Sequence, residues 1–164
     1  MAEFVVLVTG SRDWCLLDRI SAALAHLVIP PDHTPVLVHG GAAGADTMAD
    51  QTIRQFNNLV GHLNTLPTHL SEHLTAPSTP AWTIRTYLAD WKTHGRSAGP
   101  RRNTQMVQTE RPHVVLAFRR NDSKGTTHAL QAVHTYARSS ASRLQQFIIL
   151  DDRHGVVTET RVAL

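Results

Sequence analysis

The sequence lacks most of the features that would move it out of the ordinary globular class. One cysteine, Cys15, in 164 residues excludes an internal disulfide. No apolar run is long enough to cross a bilayer; the longest, such as Phe4–Val8 and Phe147–Leu150, are a handful of residues each. No basic-then-apolar leader opens the chain, so a cytoplasmic location without a membrane partner is expected. Charge of neither sign dominates. The formal net charge of +3 suits an anionic ligand without demanding nucleic acid. Aromatic residues are scarce, at 5%, yet the 41% hydrophobic and 18% charged fractions exclude a disordered or fibrous chain. A chain of this length forms one domain and buries roughly two-thirds of its unfolded surface. Cys15 follows a tryptophan at the start of an expected helix, and the burial habit of free cysteine makes it a small core residue.

What is present is an alternation. Phe4-Val-Val-Leu-Val-Thr9 is an apolar, β-branched run ending at Gly10, the pattern of a strand covered on both faces. Helical spacing follows from Leu16 to Leu27 and stops before Pro30-Pro31. Val36–His39 is a second strand, closed by Gly40-Gly41, and Asp46–Phe56 a second helix with Met48, Ile53 and Phe56 facing a core. Thr83–Tyr87 reads as strand, Pro100–Gln108 as helix, His113–Phe118 as strand, Thr126–Ala137 as helix and Gln146–Leu150 as strand. The tail from Gly155 to Val162 adds an edge strand. Strands alternating with helices predict a Rossmann-like, three-layer α/β domain on a doubly wound parallel sheet. Such sheets take ligands beyond the carboxyl ends of their strands, where the strand order reverses.

Residues 57–82 break the alternation and read as an insertion. His69 and His73 in it would share a helix face, but Glu72 would point elsewhere. Neither a metal site nor a cofactor is expected, and a lid or subunit contact fits the stretch better.

Four strand exits carry unusual residues. At Thr9–Trp14, Gly10 permits a sharp turn, Ser11 can donate a hydrogen bond and Arg12 can pair with phosphate; a tight capped turn explains the segment as well. At Val38–Asp46, Gly40, Gly41 and Gly44, with Ala45, allow a ligand to approach backbone at a helix N-terminus. The spacing is neither that of a Walker loop nor of the dinucleotide fingerprint. Asp46 caps that helix, holds a ribose hydroxyl or acts as a base. In His94–Met106, Gly99 and Pro100 open a helix whose first turn carries Arg101, Arg102 and Asn103, either toward the crevice or on a solvated face. At Phe118–Thr126, Ser123, Gly125 and Thr126 form a hydroxyl-rich phosphate cradle. Arg12, Arg96, Arg101, Arg102, Arg119 and Arg120 all lie in or beside these segments.

Together the pieces Gly10–Trp14, Gly40–Asp46, His94–Asn103 with Met106, and Lys124–Thr126 resemble the SLOG superfamily of Rossmann-like nucleotide binders, most closely its YspA/YpsA-related branch. The likeness spans residues 4 to about 150. It implies a nucleoside phosphate, ADP-ribose, NAD or a cyclic nucleotide as ligand, and a homo-oligomer; bacterial and phage hosts suit it equally. It implies ligand contacts from Gly10, Ser11, Arg12, Gly40, Gly41, Gly44, Ala45, Asp46, His94, Gly99, Arg102, Asn103, Ser123, Gly125 and Thr126. The related LOG branch cleaves the N-glycosidic bond of nucleoside monophosphates, with an Arg-Lys pair ahead of a Met and a glutamate three residues beyond the threonine of its glycine loop. Here Arg102 and Met106 match, Asn103 replaces the lysine and Ala129 the glutamate. A glycosidic mechanism would therefore need another carboxylate, Asp46 or Asp13.

Three functions follow. The first is a sensor or sequestering protein that binds a nucleotide-type ligand unchanged; the second is an N-glycosidic hydrolase or transferase. The third, a single-stranded nucleic-acid binder, is disfavoured because Gly95–Asn103 and Arg119–Lys124 contain no aromatic residue. Loss of Arg102 is expected to cost affinity and little stability.

Overall fold

The computed structural model describes residues 1–65 and 80–163. Six strands, β1 (Ala2–Gly10), β2 (His33–His39), β3 (Thr83–Thr86), β4 (Val114–Arg120), β5 (Gln146–Arg153) and β6 (Val156–Arg161), form one sheet in the order β3-β2-β1-β4-β5-β6. All neighbours are parallel except β5 and β6, which form an antiparallel hairpin through His154 and Gly155, both at positive φ. The α-helices among the described residues are α1 (Leu17–Ala25), α2 (Ala45–Asn64), the single-turn α3 (Trp91–His94), α4 (Ala98–Glu110) and α5 (Lys124–Ala137). This is the expected Rossmann-like α/β architecture.

Side-chain alternation along β1 sorts the core into two layers. Phe4, Val6 and Val8 point toward α1 and α2, meeting Ile20, Leu24, Ala49 and Ile53. Val5 and Leu7 point the other way, with Met106 and Val107 of α4 and Leu130 and Val133 of α5. The switch of side falls between β1 and β4, because the connections before β3 use one face and those after it use the other.

Three local expectations are corrected. α2 runs eight residues past Phe56, because the Asn57-Asn58 pair costs helix propensity only tenths of a kcal/mol each and breaks nothing. The expected insertion therefore begins as helix, with His62 on it; His69, Glu72 and His73 lie outside the described residues. Asn57 explains how the chain returns: its side-chain amide donates to the Trp82 carbonyl and accepts from the Trp82 N–H, both at 2.8 Å. Cys15 is exposed, not buried, since Trp14 takes the interior position and Arg120 reaches the thiol at 3.2 Å.

At the amino-terminal edge of the sheet, His113 ties β1 to β4 and β5. Its N–H donates to the Val5 carbonyl, its Nδ1 accepts the Val5 N–H at 3.0 Å, and its carbonyl accepts from Gln145. The ring stacks on Phe4 with centroids 5.0 Å apart. Burial, reinforced by Arg143 and His33, holds this imidazole below its ordinary value of 6.5. The folded state thus favours the neutral ring. Its contribution is complete above the unfolded-state value and is lost as the pH falls from there toward the lower folded-state value. A His113→Asn variant should lose less melting temperature than the parent between about pH 7.5 and about pH 5.5. Equal losses would show that His113 does not set the acid sensitivity.

Candidate functional site

Where β1 and β4 lie side by side, the chain leaves β1 toward one face of the sheet and β4 toward the other. The exits separate and leave a cleft of about 650 Å³ at the carboxyl ends of the strands. All four segments singled out in the sequence contribute to its wall: Thr9, Gly10, Arg12 and Asp13; Ala42 and Asp46; Arg96, Gly99, Pro100, Arg102 and Asn103; and Arg120 through Gly125. Trp91 and His128 complete it.

The expected ligand contacts divide into two groups. Gly10, Arg12, Asp46, Gly99, Arg102, Asn103, Ser123 and Gly125 face the cleft. Ser11, Gly40, Gly41, Gly44, Ala45, His94 and Thr126 do not line it. Ser11 is instead an internal tie. Its N–H donates to the Phe118 carbonyl, its Oγ accepts the Arg120 N–H at 2.8 Å and meets the Thr126 hydroxyl at 3.3 Å, and its carbonyl accepts from Trp14 and Ala45. Thr126 is as buried as Ser11 and bonds to Ser123, so these two hydroxyls of the expected cradle are consumed by the fold. Ser123 caps α5. His94 is exposed at the end of α3. Ala45, at the start of α2, is packed in the core.

The loop from Gly40 to Gly44 is held by four side chains, one of them Thr47, whose hydroxyl donates to the Ala42 carbonyl at 2.7 Å. Asp46 Oδ2 accepts the N–H groups of Gly40 at 2.9 Å and Ala42 at 3.3 Å, so this residue organises the loop ahead of α2 and leaves the helix end uncapped. His39 Nδ1 accepts the Gly41 N–H, which puts its proton on Nε2, toward Asp50 and Thr86. Arg102 crosses from α4 and donates to the carbonyls of Gly40 and Tyr87 and to Asn103 Oδ1. A Cβ at Gly40 would occupy the space of the Arg102 guanidinium. Gly44, at φ 75°, takes a left-handed turn in which any side chain would collide with the Ser11 carbonyl.

Arg102 therefore spends Nε–H and the Nη1 pair inside the protein and leaves the Nη2 pair without a partner among the described residues. Burial lowers its pKa, with Asp46 opposing and Arg12 adding to the fall. Burial also pushes the Asp46 carboxyl up, against the Ala42 and Gly40 N–H groups, Arg102 and His39. Its Oδ1 is buried with no hydrogen-bond partner among the described residues. Arg120 is likewise engaged, with the Asp13 carbonyl and Asp152. Arg12, Arg96 and Lys124 are exposed and carry no ion pair among the described residues. Chemically, the cleft offers three exposed cations, the N-terminal turns of α4 and α5, and one buried carboxyl oxygen with no partner among the described residues.

Sequence reasoning passed over Trp91, Lys124, His128 and the Asn121-Asp122 turn as site residues, and listed Arg120 only among its arginines. Trp91 stands four residues ahead of Gly95 and carries no signal of its own. The structure brings it in because Asp90 caps α3 through the Thr93 N–H and turns the chain back over Gly99. Arg101 projects away, onto the outer side of α4 with Gln105 and Gln108.

The pinned arginine reverses the expectation that Arg102 is dispensable for folding. Arg102→Ala strips the Gly40 and Tyr87 carbonyls of a charged donor and should cost about 1–3 kcal/mol of stability. Gly40→Ala, which expels the guanidinium, should destabilise as well. Chemical denaturation of both variants measures this, and unchanged midpoints would show that the pin contributes nothing.

No family model and no solved structure matches the chain. The Gene 61 protein of Mycobacterium phage D29 is 34% identical to it over 129 residues, which is 77% of this chain and 85% of the phage protein. The chain belongs to the family of that phage protein.

Proposed function

We propose that the cleft binds a phosphorylated, nucleotide-type ligand and holds it without turning it over, as a sensor or sequestering protein. The observation that carries this reading is the convergence of Arg12, Arg96 and Lys124 on one cleft from three separate segments, beside two helix N-termini. None of the three is spent on the fold. Cations left exposed around a concave site at a strand-order switch are suited to a phosphate group. The likeness of the four segments to SLOG nucleotide binders points the same way. Retention without turnover fits Ala129, a buried alanine in α5 where the LOG signature has its glutamate.

One observation favours a second reading, an N-glycosidic hydrolase or transferase. Asp46 is a buried carboxyl group on the cleft wall with a raised pKa and no partner for Oδ1 among the described residues, the attributes of a group that accepts a ribose hydroxyl or takes a proton.

A thermal-shift panel of AMP, ADP-ribose, NAD and cyclic nucleotides, with chromatography of each mixture after incubation, decides between them. The expected result is a stabilising nucleotide recovered intact. Arg12→Ala should then weaken it roughly ten- to a hundred-fold, the worth of a charged hydrogen bond, with no loss of melting temperature in the ligand-free protein. Release of free base, abolished in Asp46→Asn, would establish the enzyme instead. No shift with any nucleotide would overturn the ligand.

A further inference from the structure

Trp91 is the one indole on the cleft, and nothing in the fold requires it there. Among the described residues the ring nitrogen makes no hydrogen bond, and the side chain is 50% exposed in the first turn of a four-residue helix. Trp14 and Trp82, by contrast, are 2% and 9% exposed and belong to the core. The Trp91 ring is nevertheless positioned: its far edge rests on Gly99, where even a Cβ would come within 3.2 Å. Over the ring lies the Arg12 guanidinium, its carbon 5.6 Å from the centroid, with no carboxylate paired to it among the described residues. A flat, delocalised cation resting loosely on an exposed indole occupies the place a planar ring would take.

We propose that Trp91 is a base-stacking platform and that Arg12 is its placeholder, so that the ligand class is one bearing an aromatic base. On binding, the base takes the indole face and the guanidinium turns to the phosphate, beside Arg96. The inference rests on the reading of the cleft as a nucleotide-type phosphate site and adds the part of the ligand that cations and helix ends cannot recognise. It also gives Gly99 a reason: a side chain there would lift the indole out of the plane it now holds.

The test compares AMP, GMP, CMP and UMP with ribose 5-phosphate, which has the sugar phosphate and no base, by tryptophan emission and calorimetry on the full chain. Trp91 is the tryptophan open to solvent, so quenching on saturation reports on it. The expected result is quenching by at least one nucleotide, bound roughly ten-fold or more tightly than ribose 5-phosphate, in keeping with the worth of one stacked base. In Trp91→Ala that advantage should vanish while ribose 5-phosphate binds as before, and Trp91→Phe should restore most of it. If ribose 5-phosphate binds as well as every nucleotide, or the advantage survives in Trp91→Ala, the platform is overturned and the phosphate site stands. If no compound in the set binds, the phosphate reading itself falls. A short oligothymidylate bound far more tightly than any mononucleotide would replace the nucleotide with a strand.

Discussion

The site depends on one residue that never touches it. Ser11 sits at the point where β1 ends, and through its backbone and hydroxyl it holds β4 at Phe118 and Arg120, α5 at Thr126 and the start of α2 at Ala45. A parallel sheet has no hairpin to join neighbouring strand ends, so at a strand-order switch the exits would drift apart unless something local bridged them. A small hydroxyl does this with little side-chain entropy and with both donor and acceptor capacity. The walls that leave β1, β2 and β4 meet at that bridge, which ties the Arg12 loop to the Ser123–Gly125 turn.

Around the bridge the polar residues divide their labour. Those closest to the sheet, Ser11, Thr126, Asp46, His39 and Arg102, satisfy buried backbone groups and fix the loops, as buried polar groups must. Those farther out, Arg12, Arg96, Lys124 and Trp91, are held at the backbone but open at the tips. The two groups are interleaved along the chain; Ser11 and Arg12 are adjacent, and Arg96 and Arg102 are six apart. Rigidity in the first group is what keeps the second in a constant arrangement without a ligand.

The strands and their order of appearance were legible in the sequence because apolar runs buried on both faces leave little else for Phe4–Thr9 or His113–Phe118 to be. The convergence of four strand exits followed from topology alone. What could not be read was direction. Ser11 and Arg12, or Arg101 and Arg102, look equally able to meet a ligand on paper, and only the packing of α4 against β2 sends Arg102 inward and Arg101 out. Cys15 was misjudged for the same reason: Trp14 and Cys15 compete for one interior place, and the larger apolar surface takes it. Trp91 had no periodicity or motif to announce it, since its position comes from a four-residue helix capped by Asp90.

The exposed cations come from positions 12, 96 and 124, far apart in the unfolded chain and gathered only when the sheet closes. Folding therefore gathers like charges around one cleft, with Asp13 and Asp122 among them. The folded domain holds these charges closer together than its denatured state does. Added salt relieves their repulsion by screening, whereas a bound polyanion removes it outright. Charge at the rim and order in the sheet are in this sense one event: closing the strands is what crowds the cations.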